Sequence, residues 1–414
     1  MNFFARYKKI FLLLGFLLLV AFLAYLLWLV FFRTTVISPI ATSTPGAING
    51  LPAIGPNGEI IDNITGPGSL PGDVSTPGVI SQTGALEDVA TGGLTKTSAI
   101  VKSPTLSPTL SSNGQVQYYD QGDGRFYRVN GQGEIVALSD KVFYNVDSVT
   151  WAPDKNRDIL EYPDGSKILY NFQTEKQVTL PAHWQEFSFS PTSDQIVSES
   201  IGLDPENRWL MISNDDGSQA TAIENIGLNS DKVYPAWSPT NQIVALYTEG
   251  VDFDRQEIFF VGQNGENFKS TIIEGRGLRS QWSTTGDRLL YSVYSSADNL
   301  NPRLWIVDAS GDTISQNRRS LDLQTWASKC TFASNTEVYC AVPDSLERGA
   351  GLFPELADKT KDSLYKIDLT TGTQKLIAVP DGAYNISQVI VPDNENYLYF
   401  TDQTTQQLYQ IRLK

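Results

Sequence analysis

Histidine is almost absent from this chain of 414 residues, where His183 is the only one. A hydrolytic triad with histidine as its base needs that residue beside a nucleophile, and the G-x-S-x-G elbow is missing as well. Neither a phosphate-binding loop nor a dinucleotide fingerprint occurs. We therefore identify no catalytic, cofactor-binding or metal-binding residue, and we expect no cofactor.

Acidic residues are absent before position 34, so all 46 lie beyond it, together with 27 of the 31 basic residues. Residues 34–414 therefore carry a formal charge of −19. Such a surface repels phosphate backbones and anionic headgroups, so we expect no nucleic-acid partner. A negative charge also serves solubility alone.

Charge of either sign is missing from residues 10–32. As a helix this stretch would be roughly 34 Å long, enough to cross a bilayer. Three basic residues (Arg6, Lys8 and Lys9) precede it and only Arg33 follows closely, so the N-terminus should stay in the cytoplasm. A cleaved signal peptide is the alternative, but it would have a shorter apolar region and a small-residue cleavage site.

These features predict a single-pass protein of the cytoplasmic membrane. Residues 1–9 would be cytoplasmic and residues 10–32 an uncleaved signal anchor. Residues 33–92 are rich in Pro, Gly, Ser and Thr and lack apolar periodicity, which indicates a flexible linker with a reach of roughly 40 Å. Residues 93–414 would form the extracytoplasmic domain.

Cysteine occurs only twice, at Cys330 and Cys340. The two residues flank a predicted turn at residues 333–336, so a hairpin would place them opposite each other. In an exported domain an oxidising environment favours a disulfide over a metal site, since two thiols without a nearby histidine make a weak ligand set.

The chain does contain a repeated pattern: an aromatic residue, a small residue, proline, a turn and an apolar strand. A period near 40–45 residues with four short strands per copy is typical of a β-propeller. Seven copies predict an all-β, seven-bladed ring, with a six-bladed ring as the alternative because the first copy is poor. The clear copies begin at Trp151, Phe189 and Trp237, and the weaker ones at Trp282, Phe332, Ile390 and Leu110.

The last predicted blade, from about Asn385, has room for only three strands. Its fourth strand must come from elsewhere for the ring to close. Residues 93–100 (GLTKTSAI) have the pattern of an outer strand. We expect them to pair with the C-terminal strand.

The W-S-P anchor, together with a later apolar strand and an N/D-x-x-G turn, resembles the TolB-type, WD40-like propeller repeat. The resemblance covers about 300 residues. The His and Trp-Asp signature of WD40 repeats is missing, so the likeness is to the bacterial variant. It implies a protein of the bacterial cell envelope with protein partners, or an extended peptide bound in the central channel.

The best indication of function is the length of the loops between second and third strands, which share one face of a propeller. Loops of the length of residues 343–363 tend to be functional or disordered, and this one either packs on the ring or docks a partner. Calcium at Asp252 and Asp254 is a minor alternative, because their spacing is not that of an EF-hand. The candidate partner-binding residues are Asp204, Asp252, Asp254, Arg255, Leu346, Arg348, Leu352 and Phe353.

The sequence therefore favours a non-catalytic protein-binding or scaffolding module of the cell envelope, with an envelope or membrane protein as its partner. The alternative is a glycan-active or glycan-binding propeller. That alternative needs two carboxylates and stacking aromatic residues around one pocket. A purely structural spacer would show neither kind of site.

Overall fold

The structure, a computed structural model, describes residues 16–26, 85–266 and 268–414. The chain divides into two units, Met1–Val79 and Ile80–Lys414. In the first unit, residues 16–26 form a helix. No helix in the described part of the chain has both the length and the apolar character needed to cross a membrane. The predicted cytoplasmic end, the rest of the predicted anchor and linker residues 33–84 lie outside the described residues.

The described residues of the second unit form seven β-sheets, each of at least four strands. The prediction of a seven-bladed, all-β propeller is confirmed, and the six-bladed alternative is wrong. Two short strands precede the blades: β1 (Leu94–Thr95) and β2 (Ser98–Ala99).

The first four blades follow the chain order. Blade 1 contains β3 (Thr105–Leu110), β4 (Val116–Asp120), β5 (Arg125–Val129) and β6 (Ile135–Ala137). Blade 2 contains β7 (Ser148–Trp151), β8 (Arg157–Glu161), β9 (Lys167–Asn171) and β10 (Lys176–Leu180). Blade 3 contains β11 (Trp184–Phe189), β12 (Gln195–Ile201), β13 (Arg208–Asn214) and β14 (Thr221–Asn225). Blade 4 contains β15 (Val233–Pro235), β16 (Ile243–Gly250), β17 (Arg255–Gly262) and β18 (Thr271–Glu274).

The last three blades complete the ring. Blade 5 contains β19 (Arg276–Trp282), β20 (Arg288–Tyr294), β21 (Pro302–Asp308) and β22 (Arg319–Ser320). Blade 6 contains β23 (Cys330–Ser334), β24 (Glu337–Pro343), β25 (Asp362–Asp368) and β26 (Gln374–Pro380). Blade 7 contains β27 (Ile386–Ile390), β28 (Tyr397–Asp402) and β29 (Leu408–Arg412). Short 3-10 helices occupy Pro205–Asn207, Ser230–Lys232, Ser296–Asp298, Gly311–Thr313, Ala327–Lys329 and Pro354–Ala357.

The ring closes through β2, which pairs antiparallel with β29 and places Ser98 opposite Gln410. Within the predicted strand of residues 93–100, the pairing with the C-terminal strand is therefore confirmed for Ser98 and Ala99. The same segment also adds β1 in parallel to β26 of blade 6, with Leu94 opposite Val379. One short segment thus joins the last two blades at their outer edges.

The aromatic anchor of the repeat pairs with the corresponding position of the second strand in several blades. It lies at or near the end of the first strand and opposite the start of the second, as in the pairs Phe189–Ile196, Trp282–Leu289, Phe332–Val338 and Trp151–Asp158. The aliphatic partners are buried in apolar clusters, which form where neighbouring blades pack. This shared register explains why the repeat could be read from the sequence.

The residue after the anchor begins the same turn in four blades. Its N–H donates to a carbonyl five residues later, in the pairs Ala152–Arg157, Ser190–Gln195, Ser238–Ile243 and Ser283–Arg288. The fourth residue of the turn has a positive φ in each, and it is Lys155, Ser193, Asn241 or Gly286. Glycine and asparagine suit this left-handed conformation best.

The predicted disulfide is confirmed. Cys330 and Cys340 lie opposite each other on β23 and β24, with their Cα atoms 4.0 Å apart, and their sulfurs are bonded. Both residues are buried between blades 5 and 6. The bond fastens the first strand of blade 6 to the second.

We expect the double variant Cys330→Ala/Cys340→Ala to lose about 2 kcal/mol of unfolding free energy, because the bond closes a short loop of the unfolded chain. Urea unfolding of the oxidised protein measures this loss. Dithiothreitol should lower the unfolding free energy of the unsubstituted protein by a similar amount and leave the variant unchanged. A reductant effect of equal size in both proteins would contradict the prediction.

Candidate functional site

The connections between second and third strands leave the ring on one face, together with the connections that lead to the next blade. We call this the long-loop face. On it lie the second-to-third connections of blades 3 to 6, residues 202–207, 251–254, 295–301 and 344–361. The structure places all the predicted partner-binding residues at this face, with Arg255 at the start of β17.

The loop of blade 4 is bonded to blade 5 through Asp254. The N–H of Ser296 donates to Asp254 Oδ1 at 2.7 Å, and the hydroxyl of Ser296 donates to the other oxygen. The N–H of Gly275 donates to the carbonyl oxygen of Asp254 at 2.6 Å. Asp254 therefore links the loops of blades 4 and 5, and both oxygens of its carboxylate already accept hydrogen bonds.

Asp252 is held within its own loop. The Nε of Arg255 donates to Asp252 Oδ2 at 2.7 Å, and the N–H of Asp254 donates to Oδ1 at 3.0 Å. The hydrogen bond from Arg255 lowers the pKa of the Asp252 carboxyl, and the same contact raises the pKa of Arg255. Asp252 is thus ionised and paired.

The loops of blades 5 and 6 are bonded through their backbones. The N–H groups of Gly349 and Gly351 donate to the carbonyl oxygens of Asn299 and Leu300, at 2.9 and 2.8 Å. The N–H of Ala350 also donates to the Asn301 side chain at 3.2 Å. The three loops of blades 4 to 6 therefore form one connected surface, which we call the long-loop rim.

The sequence left open whether residues 344–361 pack on the ring or are available to dock a partner. The structure shows features of both. Ala350 and Ala357 are buried against Trp326, and Leu346 is partly buried beside them. At the outer end of the loop Phe353 is 53% exposed, and Leu352 is exposed too. The base of the loop packs on the ring while its tip faces solvent.

Other large apolar side chains are exposed on the same face. Phe253 at the tip of the blade 4 loop is 71% exposed, and Leu203 in the blade 3 loop is 98% exposed. Beside Phe253 a cavity of about 380 Å³ lies between blades 4 and 5, and its lining includes Asp252, Arg255 and Glu274.

Two of the predicted partner-binding residues, Asp204 and Arg348, are less well placed for binding than the others. Asp204 is exposed in the loop of blade 3, which has no hydrogen bond to the rim within the described residues. Arg348 is exposed in the blade 6 loop and has no ion-pair partner there. The residues that sequence reasoning missed are those of blade 5, Ser296 and Asn299 to Asn301, which connect the other two loops. Their only signal in the sequence is a run of small and amide-bearing residues.

Two carboxyl groups near the same face, those of Glu199 and Glu161, were not predicted from the sequence either. Burial, with a contribution from the nearby charges of Glu186 and Asp231, raises the pKa of Glu199 to about 7. Glu199 is fully buried, and Gln185 Nε2 donates to its Oε2 at 3.2 Å. Burial also raises the pKa of Glu161, with Glu186 again contributing.

In the described part of the chain, no group of three or more Asp, Glu, His or Cys side chains is arranged to hold a metal ion.

No protein-family profile matches the chain, and no curated protein is similar to it in sequence. Solved structures are similar in fold. The β-propeller domain of Cps50 (Swd1) from Myceliophteria thermophila is 12% identical with a TM-score of 0.51, over 77% of this chain and 100% of that one. An oligogalacturonate lyase from Vibrio parahaemolyticus is 9% identical with a TM-score of 0.50, over 77% of this chain and 93% of that one. At these identities the similarity shows that the chain is a β-propeller, and it shows the fold alone.

Proposed function

We propose that this protein is a non-catalytic protein-binding module that binds its partner through the long-loop face. The observation that carries the proposal is the hydrogen-bonded rim of blades 4 to 6, which presents Phe253, Leu352 and Phe353 to solvent. Exposed apolar side chains on a preorganised surface are typical of interaction sites, because binding then orders little additional chain.

The proposal also covers the cellular location of the domain. The uncharged stretch of residues 10–32 and its basic flank support a signal anchor, and the disulfide supports an oxidising compartment. The W-S-P repeat supports a TolB-like propeller of the bacterial envelope. The partner would be an envelope or membrane protein that presents an apolar ridge flanked by basic residues, since the exported part of this chain is strongly acidic.

A glycan-active propeller is the less favoured candidate. A glycosidase needs a carboxylic acid of raised pKa beside a second carboxylate within reach of the sugar. In the cavity between blades 4 and 5 the pKa values of Asp252 and Glu274 are lowered by their arginine partners. Glu199 has a suitable pKa, but it is fully buried and a sugar cannot reach it without a rearrangement.

The test replaces exposed side chains of the rim without touching the packed base of the loop. We expect Leu352→Ser/Phe353→Ser to reduce capture of the partner at least tenfold in in-cell crosslinking of the full chain, followed by affinity purification and mass spectrometry. Truncating apolar residues at the centre of an interface commonly costs 1–2 kcal/mol or more each. Phe253→Ser tests whether the surface extends to blade 4.

The matched control is Ile272→Ser on the outer strand β18 of blade 4, because Ile272 is also a half-exposed apolar residue but lies away from the long-loop face. The control should capture the same protein as the unsubstituted chain. Equal capture by the double variant and the control would overturn the proposal.

A further inference from the structure

A cavity of about 570 Å³ lies at the centre of the ring, among the first strands of blades 1, 5, 6 and 7. This volume is within the usual range for a small-molecule site. Its polar lining consists of side chains able to form hydrogen bonds, among them Thr109, Gln281, Ser328, Thr331 and Gln388. Blade 2 contributes Lys155.

Lys155 is the only charged residue among the described residues that line this cavity. The exported part of the chain has far more acidic than basic residues, so a lining without any carboxylate stands out against the rest of the domain. A single cation in a confined space with low-dielectric walls favours an anionic ligand.

The fold does not require a lysine at this position. Lys155 has φ +59° in the turn after β7, where other blades have Ser193, Asn241 or Gly286. A long side chain in this left-handed conformation costs roughly 1 kcal/mol relative to glycine. The turn is already fixed, because Gln117 Nε2 donates to the Lys155 carbonyl oxygen at 3.2 Å.

The amine of Lys155 has neither a hydrogen-bond acceptor nor an ion-pair partner within the described part of the chain. Burial lowers its pKa, and the charge of Asp154, which is paired with Arg157, opposes this shift. The hydroxyls of Thr109, Ser328 and Thr331 also make no hydrogen bond to described residues. The cavity therefore gathers unpaired donors around one cation.

We propose that the central cavity binds a carboxylate, with the Lys155 ammonium supplying the charge and the hydroxyls and amides of the lining supplying hydrogen bonds. Charge-assisted hydrogen bonds of this type are the strong ones in proteins. Two kinds of ligand carry such a carboxylate: a short peptide with a free C-terminus and a small organic acid. The site is distinct from the long-loop rim, because the turn that carries Lys155 leaves the ring on the opposite face.

Calorimetric titration of the full chain in detergent tests the proposal with three probes: trialanine with a free carboxylate, trialanine amide and malonate. We expect trialanine or malonate to bind and the amide to bind at least tenfold more weakly. Tighter binding of trialanine identifies a peptide terminus as the source, and binding of malonate alone identifies a small acid. Equal and measurable affinity for trialanine and its amide, or no binding of any probe at about 10 mM, would overturn the site.

Two variants assign the charge to Lys155. Lys155→Asn suits the turn and should abolish binding, whereas Lys155→Arg should retain it. Because burial favours the neutral amine, affinity should rise as the pH falls from about 9 to about 7, below the ordinary lysine pKa. Unchanged affinity of Lys155→Asn would contradict the assignment.

A second measurement uses the unsubstituted protein and does not depend on how a variant folds. Acetic anhydride labels neutral amines, so mass spectrometry should show Lys155 labelled and then protected at least threefold by the bound probe. Lys176, exposed in the same blade, is the control and should gain no protection. Lack of protection at Lys155 would argue against the site. The Leu352→Ser/Phe353→Ser variant should bind the probes normally, so failure of this proposal and failure of the rim proposal can be told apart.

Discussion

Replacement of Asp362 by alanine should lower the unfolding free energy of the propeller by about 3–5 kcal/mol, because it leaves a buried lysine without its counter-ion. Lys329 Nζ lies 2.9 Å from Asp362 Oδ2, and both side chains are buried between blades 6 and 7. The N–H of Ile386 also donates to Asp362 Oδ2, at 2.5 Å. Alanine would leave the Ile386 N–H without this acceptor and Lys329 without its counter-ion.

The pair itself adds little net stability. Burial raises the pKa of Asp362 even though the charge of Lys329 opposes the rise, so desolvation outweighs the attraction. Replacing both partners by apolar residues of similar size is therefore expected to restore most of the loss. The double variant Lys329→Met/Asp362→Leu should be at least 2 kcal/mol more stable than Asp362→Ala, an estimate from buried pairs of this kind.

The same network holds the base of the long loop. Lys329 Nζ donates to Asn385 Oδ1 at 2.8 Å, and Asn385 Nδ2 donates to the carbonyl oxygen of Ala357 at 3.0 Å. Loss of Asp362 should therefore increase amide hydrogen exchange in residues 344–361 as well as lower global stability. The side chains of Lys329, Asp362 and Asn385 thus link the global stability of the propeller to the order of the long-loop rim.

Urea unfolding followed by tryptophan fluorescence measures the global effect, and hydrogen-exchange mass spectrometry measures the local one. The matched control is Lys361→Ala, which breaks the neighbouring and more exposed pair with Asp344, 3.5 Å apart, and keeps the hydrogen bond from Ser363 to Asp344. An exposed pair contributes 0–1 kcal/mol, so this control should change little. If Lys361→Ala and Asp362→Ala had equal effects, the buried network would not have the role described.

The sequence predicts those parts of the fold that depend on local and repeated pairing. The aromatic anchor and its partner in the next strand are seven residues apart in Phe189–Ile196 and in Trp282–Leu289, so a single period gives the strands, the turns and the number of blades. The disulfide follows for the same reason, since Cys330 and Cys340 face each other across one hairpin.

The candidate site could not be predicted to the same depth, because its contacts join residues far apart in the chain. The bond from Ser296 to Asp254 spans 42 residues, and the bond from Lys329 to Asn385 spans 56. No local pattern marks such partners. Sequence reasoning found the long loops but not the hydrogen bonds that make them one surface, nor the parallel addition of β1 to blade 6.

The repeat also conceals an exception at Asp158. This residue lies opposite Trp151, where Ile196, Leu289 and Val338 lie opposite the anchors of other blades. Asp158 is fully buried, and neither of its carboxyl oxygens has a hydrogen-bond partner among the described residues. Burial raises its pKa well above the ordinary value. The position thus has the environment of an aliphatic residue and the side chain of an acid.

Asp158→Ile should therefore raise the unfolding free energy by about 2–4 kcal/mol at pH 8, because an unpaired buried polar group is removed and an apolar one replaces it. The sign of the pH dependence follows from the raised pKa. The folded protein keeps the Asp158 proton above pH 3.8, the ordinary value, while the unfolded chain loses it, so the parent protein loses stability as the pH rises past that value. The advantage of the variant should grow from pH 4 to pH 8.

Urea unfolding of parent and variant at both pH values measures this difference, and Asp158→Asn separates its two causes. The amide removes the ionisation but remains a buried polar group, so its gain should appear at pH 8 and nearly vanish at pH 4. Isoleucine should retain a gain at both pH values because it also matches the aliphatic residues of the other blades. If neither variant were more stable than the parent at pH 8, Asp158 would be paired or hydrated in the folded protein, and the blade 1–blade 2 interface would not be the apolar contact that its neighbours form.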